Sequence, residues 1–167
     1  MLISIDRLLK VYEPLSGYFC NIDETNEDTT TCPPMIKNFF SSNVAKCTLY
    51  FLQNILFDIQ TKNLELQRYY TSIANLYRII TTLLKKLNDR LEQNYFGHNT
   101  RLLLNSISKD EQEKVTSSFR NYLSNIIKYI NKYYIEHSSL AETVSIFGIF
   151  LINKHKEIKQ FFDFRNN

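Results

Sequence analysis

Apolar side chains recur at intervals of three and four residues through most of this sequence, and few residues interrupt them. Spacing of this kind places side chains on one face of a helix. The chain has only three glycines and three prolines, whereas a β-rich fold needs many turn residues. The pattern therefore predicts an all-α fold, an irregular helical bundle of about five helices, in a single domain over residues 1–167.

Five segments carry the helical spacing. In the first, Pro14 removes a backbone donor and disfavours helical geometry at Glu13, which predicts a break there. Heptad spacing in the fourth segment predicts a buried face, and Ser108 is its expected N-cap. The second segment is expected to begin near Ser42 or Asn43. The third is expected to span Tyr70 to Gln93, and the fifth to begin near Ser139. The buried face predicted for the fourth helix is Val115, Phe119, Tyr122, Ile126, Tyr129 and Tyr133.

Two stretches are expected to lack regular structure. Residues 21–34 carry four acids among threonines, which predicts a mobile acidic loop, and residues 163–167 are expected to fray. No apolar run approaches the roughly 20 residues that span a bilayer, so no membrane partner is expected. The odd number of cysteines and the lack of a signal-like start favour a reducing, intracellular compartment.

No motif in the sequence indicates catalysis or metal binding. The three cysteines lie twelve and fifteen residues apart, without a CxxC pair, and the three histidines are scattered. This inventory predicts neither a metal site nor a cofactor, and Cys47 is expected to be a small core residue. There is no G-x-S-x-G elbow, and glycine is too scarce for phosphate-cradling loops. The chain is therefore predicted not to be an enzyme, and no small-molecule substrate is evident. The loop acids, expected to be solvated, are Asp23, Glu24, Glu27 and Asp28.

Basic residues gather near the ends of predicted helices. Cations near a helix C-terminus favour its dipole, which is a sufficient structural explanation, and phosphate contact is the functional alternative. Tyrosines of the fourth helix could stack on bases, although burial explains them more simply. The net charge of +3 is far from that of a dedicated nucleic-acid binder. The residues predicted to contact a DNA backbone, without sequence preference, are Lys85, Lys86, Arg90, Lys154, Lys156 and Lys159.

One part of the sequence has an order of elements that resembles a known family. An amphipathic segment, Asp6 to Phe19, ends in Gly-Tyr-Phe and is followed by a polar spacer. The stretch Cys32 to Phe40 then holds Cys-Pro-Pro and a Lys-Asn-Phe-Phe turn, and Cys47 to Gln67 is a long apolar helix. This order is similar to the central region of hobo/Activator/Tam (hAT) superfamily transposases and their domesticated relatives, with a weaker likeness over Phe119 to Tyr134.

The resemblance implies the helical insertion of such a transposase without its catalytic core, so no catalytic residue is carried over. It implies a truncated or domesticated protein, nuclear if transposase-derived, with weak contact to DNA. It also implies that the first helix has lost its partner on the core, which predicts self-association into a homo-oligomer. The alternative is a helical protein–protein interaction module with no nucleic-acid partner, and an unrecognised enzyme is a third reading. The residues predicted to mediate self-association are Leu8, Leu9, Tyr12 and Phe19.

Overall fold

The computed structural model describes residues 1–20, 33–68 and 72–134, and every regular element in these ranges is helical. The all-α prediction is confirmed, with seven helices in these ranges rather than about five over the whole chain. None of the helices there is both long and apolar enough to span a bilayer. Residues 21–32, the predicted fifth helix and the predicted frayed tail lie outside the described residues. The helices are α1 (Leu2–Lys10), α2 (Tyr12–Cys20), α3 (Pro34–Ser41), α4 (Asn43–Leu66), α5 (Ile73–Glu92), α6 (His98–Leu104) and α7 over residues 109–134.

The chain forms two compact units. Unit 1 consists of Met1–Gln60 and Arg90–Leu123, and unit 2 consists of Thr61–Asp89 and Ser124–Asn167. The boundaries fall inside α4, α5 and α7, so each of these helices contributes residues to both units. The sequence has no linker-like stretch at these boundaries, and for that reason it predicts one domain.

Prolines and capping side chains set several helix boundaries. The break predicted at Glu13 lies at Val11, because Pro14 falls in the first turn of α2, where its missing N–H removes no intrahelical bond. The predicted N-cap of α7 is confirmed: the Ser108 hydroxyl accepts the backbone N–H of Glu111 at 3.4 Å and donates to its carboxylate at 2.9 Å. α4 begins at Asn43, as predicted.

The Lys-Asn-Phe-Phe segment is a helix rather than the expected short turn. It belongs to α3, where Pro34 takes the first helical position and so supplies a preset φ without losing a bond. α3 packs against α2. The Ser42 hydroxyl then accepts the backbone N–H of Ala45 at 3.4 Å in the first turn of α4.

Three aromatic rings pack together in the core of unit 1. Phe51 of α4 and Phe119 of α7 lie parallel, with ring centroids 4.0 Å apart, and Phe96 meets both edge-on at 5.8 and 5.4 Å. All three side chains are buried. The two edge-on contacts of Phe96 are an arrangement that the ring quadrupoles favour. Cys47 is fully buried nearby in α4, as predicted, and its thiol donates to the carbonyl of Thr100 at 3.6 Å.

The buried face of α7 differs from the predicted one. Its buried members are spaced four apart and include Leu123 and Ile127 beside Val115 and Phe119. Tyr122, Tyr129 and Tyr133 are 38%, 65% and 59% exposed. The prediction of heptad burial was therefore wrong for these tyrosines, and α7 turns an aromatic face to solvent.

Candidate nucleic-acid interface

Unit 2 holds most of the net positive charge of the described residues. Seven lysines and arginines stand against two acids there, whereas unit 1 has nine against seven. One of the two acids, Glu65, is already paired with Lys62 at 2.8 Å, and that hydrogen bond lowers the pKa of its carboxyl. The modest charge of the whole chain thus conceals a strongly basic part.

Four exposed residues of α7 in unit 2 combine lysines with tyrosines. Lys128 and Lys132 are one helical turn apart, as are Tyr129 and Tyr133, and all four side chains are exposed. At 100° per residue they share an arc of about 140°. The two tyrosine rings have centroids 4.8 Å apart, and the Lys132 Nζ lies 5.6 Å from the Tyr133 centroid. We refer to these four residues as the Tyr/Lys face.

Acids are scarce in the part of α7 that carries the Tyr/Lys face. From Lys114 to Tyr134, α7 has no aspartate or glutamate. An acid one turn away would partly cancel a lysine, as opposite charges at i,i+4 do on helices. Lys128 therefore has no acid within one turn of it in the sequence, whereas Glu136, which lies outside the described residues, follows Lys132 by four positions.

The residues predicted to contact DNA have three different outcomes. Lys85 and Lys86 are exposed on α5 in unit 2. Lys154, Lys156 and Lys159 lie outside the described residues. Arg90 is only 9% exposed, and its Nη2 donates to the Asp58 carboxylate at 2.7 Å. A buried, paired guanidinium does not present its charge at a surface, so the structure removes Arg90 from the predicted contact set.

The side chains predicted to mediate self-association pack inside unit 1. Tyr12 is 3% exposed, and its hydroxyl donates to the carbonyl of Phe39 at 3.1 Å. Burial, reinforced by the charge of Glu13, raises the pKa of this hydroxyl. Phe19 stacks on Phe40 with centroids 5.2 Å apart. The exposed patch on which that prediction depended is absent at these positions. Leu8 and Leu9 pack on the cluster of Ile5, Tyr12 and Leu49.

Unit 1 contains an open polar cleft of about 700 Å³. The buried Asp58–Arg90 pair lies in its wall, and Asp6 there accepts a hydrogen bond from the Gln53 amide at 2.7 Å. The acids of the cleft are therefore engaged with neighbours. Within the part of the chain that the structure describes, no three His, Cys, Asp or Glu side chains are grouped to hold a metal ion. That the chain is not an enzyme stays a prediction.

No family model, curated protein or solved structure matches this chain. The resemblance to hAT transposases therefore stays a prediction.

Proposed function

We propose that this protein is a non-catalytic helical module whose unit 2 binds the phosphate backbone of nucleic acids without reading sequence. The observation that carries the proposal is the imbalance of seven cations against two acids in the described residues of unit 2. Lysines and arginines that neutralise phosphates release condensed counterions, and this release drives sequence-independent binding. The Tyr/Lys face supplies two of these cations, and both are exposed.

The helix dipole does not account for the exposed cations of α5. Its favourable effect on a cation is confined to the last turn of a helix. α5 ends at Glu92, so Lys85 and Lys86 lie more than one turn before its end. The basic residue in the last turn is Arg90, which already has Asp58 as its partner. Lys85 is thus exposed to a polyanion on unit 2, and the helix dipole does not explain its position.

The proposal includes the origin that the resemblance implies, a truncated or domesticated hAT-transposase-like protein located in the nucleus. DNA would then be the natural partner. The DNA that flanks the gene tests this origin. Sequence encoding core strands with an Arg-Trp pair upstream, and a dimerisation segment downstream, would support it. Flanks without either would contradict the origin and leave the charge argument in place.

A fluorescence anisotropy titration tests the binding itself. The labelled probes are a duplex and a single strand of arbitrary sequence, at low and at moderate salt. We expect weak binding, with an association constant whose logarithm falls linearly with the logarithm of the salt concentration. Lys128→Gln with Lys132→Gln should weaken the binding of both probes. The magnitude of the salt slope should fall by about 1.4 to 1.8, since each lost phosphate contact lowers it by about 0.7 to 0.9.

Lys109→Gln is the matched control for this titration. Lys109 is an exposed lysine of the same helix, but Asp110 and Glu111 follow it directly. Its removal should leave the affinity and the salt slope unchanged. Absence of binding at low salt, or an equal loss in the Lys109→Gln variant, would contradict the proposal.

An interaction module without a nucleic-acid partner is the second candidate, and exposed apolar side chains of unit 1 favour it. Tyr18 of α2 is 64% exposed, and Met35 and Ile36 of α3 are 81% and 37% exposed. Groups of exposed apolar side chains often mark protein interfaces. Sedimentation at micromolar concentration tests a homo-oligomer through this surface. A species heavier than a monomer, lost in Tyr18→Gln with Met35→Gln, would support it, and a monomer throughout would contradict it.

A further inference from the structure

We infer that the Tyr/Lys face binds single-stranded nucleic acid in preference to duplex, because Tyr129 and Tyr133 offer their rings to unstacked bases. This inference rests on the proposed function, the binding of nucleic acid by unit 2. It adds the class of nucleic acid that the surface takes.

The first observation is the exposure of the two rings. Tyr129 and Tyr133 are 65% and 59% exposed, although α7 buries a different row of side chains. Their rings contact each other at an interplanar angle of 55°, so the contact uses only part of each ring. A nucleic-acid base can stack on an exposed tyrosine ring, and such stacking tolerates any sequence because every base has a π-face.

The second observation is the position of the lysines. The Lys132 ammonium lies 5.6 Å from the Tyr133 ring centroid, and Lys128 lies one residue before Tyr129. A strand that stacks a base on the Tyr133 ring would therefore have a cation beside it. Lysine is a flexible point charge that can follow a backbone of variable shape. Aromatic platforms beside a cationic track are the arrangement that single-strand binders use.

Duplex DNA cannot use the rings in this way. Its bases are stacked on one another, so only the phosphates are available to the surface. Both probes gain from Lys128 and Lys132, but only the single strand gains from Tyr129 and Tyr133. A purely structural role gives a different expectation: an i,i+4 aromatic pair would stabilise the helix and leave the choice between strands unaffected.

The experiment compares two labelled probes, an oligothymidylate of about 12 nucleotides and a duplex of about 12 base pairs, within the range of site sizes that single-strand binders cover. The wild-type chain should bind the single strand more tightly per phosphate. Tyr129→Leu with Tyr133→Leu should weaken single-strand binding by about 25-fold or more, since each stacked base contributes roughly fivefold or more. Duplex binding should be unchanged. Far-UV circular dichroism verifies that the variant retains its helices, which leucine favours.

Two further variants separate stacking from other roles. Tyr129→Phe with Tyr133→Phe keeps the rings and removes the hydroxyls, and it should retain the single-strand preference. Tyr18→Leu changes a tyrosine of similar exposure, 64%, on α2 of unit 1. It should leave the affinity for the single-stranded probe and for the duplex unchanged. A loss in the phenylalanine variant equal to that in the leucine variant would overturn the inference, because the hydroxyls rather than the rings would then be responsible.

The remaining outcomes distinguish this inference from the proposed function. Absence of binding to either probe would contradict the proposed function. Equal binding of both probes, with no effect of the leucine variant, would contradict single-strand preference while phosphate binding stands. An oligouridylate of the same length should bind within about threefold of the DNA strand, because ring stacking does not read the sugar. Binding of only one of the two would overturn stacking as the source of affinity.

Discussion

The buried ion pair of Asp58 and Arg90 gives the sharpest test of the structure, since the sequence alone suggests a surface role for Arg90. The Asp58 and Arg90 side chains are 5% and 10% exposed, with Oδ2 and Nη2 2.7 Å apart. Nε and Nη1 of Arg90 are buried without a hydrogen-bond partner in the described ranges. No second acceptor there would compensate for the loss of Asp58. We therefore expect Asp58→Asn to destabilise the fold strongly.

The magnitude follows from what each substitution leaves behind. A guanidinium does not lose its proton at ordinary pH, so Asp58→Asn leaves a buried positive charge, which costs about 3 to 5 kcal/mol. Arg90→Met leaves a carboxyl that can take up a proton, and holding it neutral at pH 7 costs up to about 4 kcal/mol. The double variant buries no charge. Its free energy of unfolding should lie within about 2 kcal/mol of the wild-type value, a loss well below the sum of the losses in the two single variants.

Urea unfolding followed by far-UV circular dichroism measures these free energies, and tyrosine fluorescence serves as a second probe of the same transition. The coupling energy of the double-mutant cycle is the quantity of interest. Additive losses would refute the pairing. The Arg90→Met variant also tests the nucleic-acid interface. If this variant remains folded, it should bind nucleic acid as tightly as the wild type does. A loss like that of Lys128→Gln with Lys132→Gln would restore Arg90 to the contact set.

Two further predictions concern Gly97 and Cys47. Gly97 has φ of 115°, and an added Cβ would lie 2.8 Å from the Asn54 Nδ2, so Gly97→Ala should destabilise the fold by at least about 2 kcal/mol. In α2 an added Cβ at Gly17 meets nothing within 4 Å, so Gly17→Ala should stabilise the fold by about 0.5 to 1 kcal/mol. Urea midpoints that coincide for the two variants would contradict both expectations. Burial raises the pKa of the Cys47 thiol from 9.0 to about 11, so peptide mapping after iodoacetamide treatment of native protein should find Cys47 unmodified at neutral pH and the half-buried Cys20 modified before it. Because the unfolded thiol ionises first, the stability from this shift is present below pH 9.0 and is lost as pH rises toward 11; a Cys47→Ser variant with the same alkaline loss of stability as the wild type would show another cause.

α7 shows both what periodicity predicts and where it stops. The sequence correctly predicts a helix after Ser108 and the burial of Val115 and Phe119. Two apolar rows continue from these residues, one through Leu123 and one through the tyrosines. Periodicity that counts tyrosine as apolar cannot choose between them. A tyrosine hydroxyl needs a partner when buried, and only the packing of other helices decides which row is covered.

The site was harder to predict than the fold because its features are not local in sequence. Asp58 and Arg90 are 32 positions apart, so no pattern within one helix reveals that Arg90 is paired. The charge imbalance of unit 2 is equally hidden, because the unit is assembled from two separate segments. The packing of Tyr12 likewise depends on α3, whose Lys-Asn-Phe-Phe segment predicts a short turn. Local patterns therefore identify helices, whereas pairing and charge distribution require the tertiary arrangement.

The charge of unit 2 also bears on its own folding. Like charges brought together in a compact unit repel one another, and this repulsion opposes the folded state. Any polyanion that binds the folded form relieves the repulsion and adds its binding energy to the free energy of unfolding. Unit 1, whose cations and acids are nearly balanced, has little such repulsion to relieve. The basic surface therefore makes the thermal stability of unit 2 depend on the salt and polyanions around it, so that a partner would act as a folding ligand for this part of the chain.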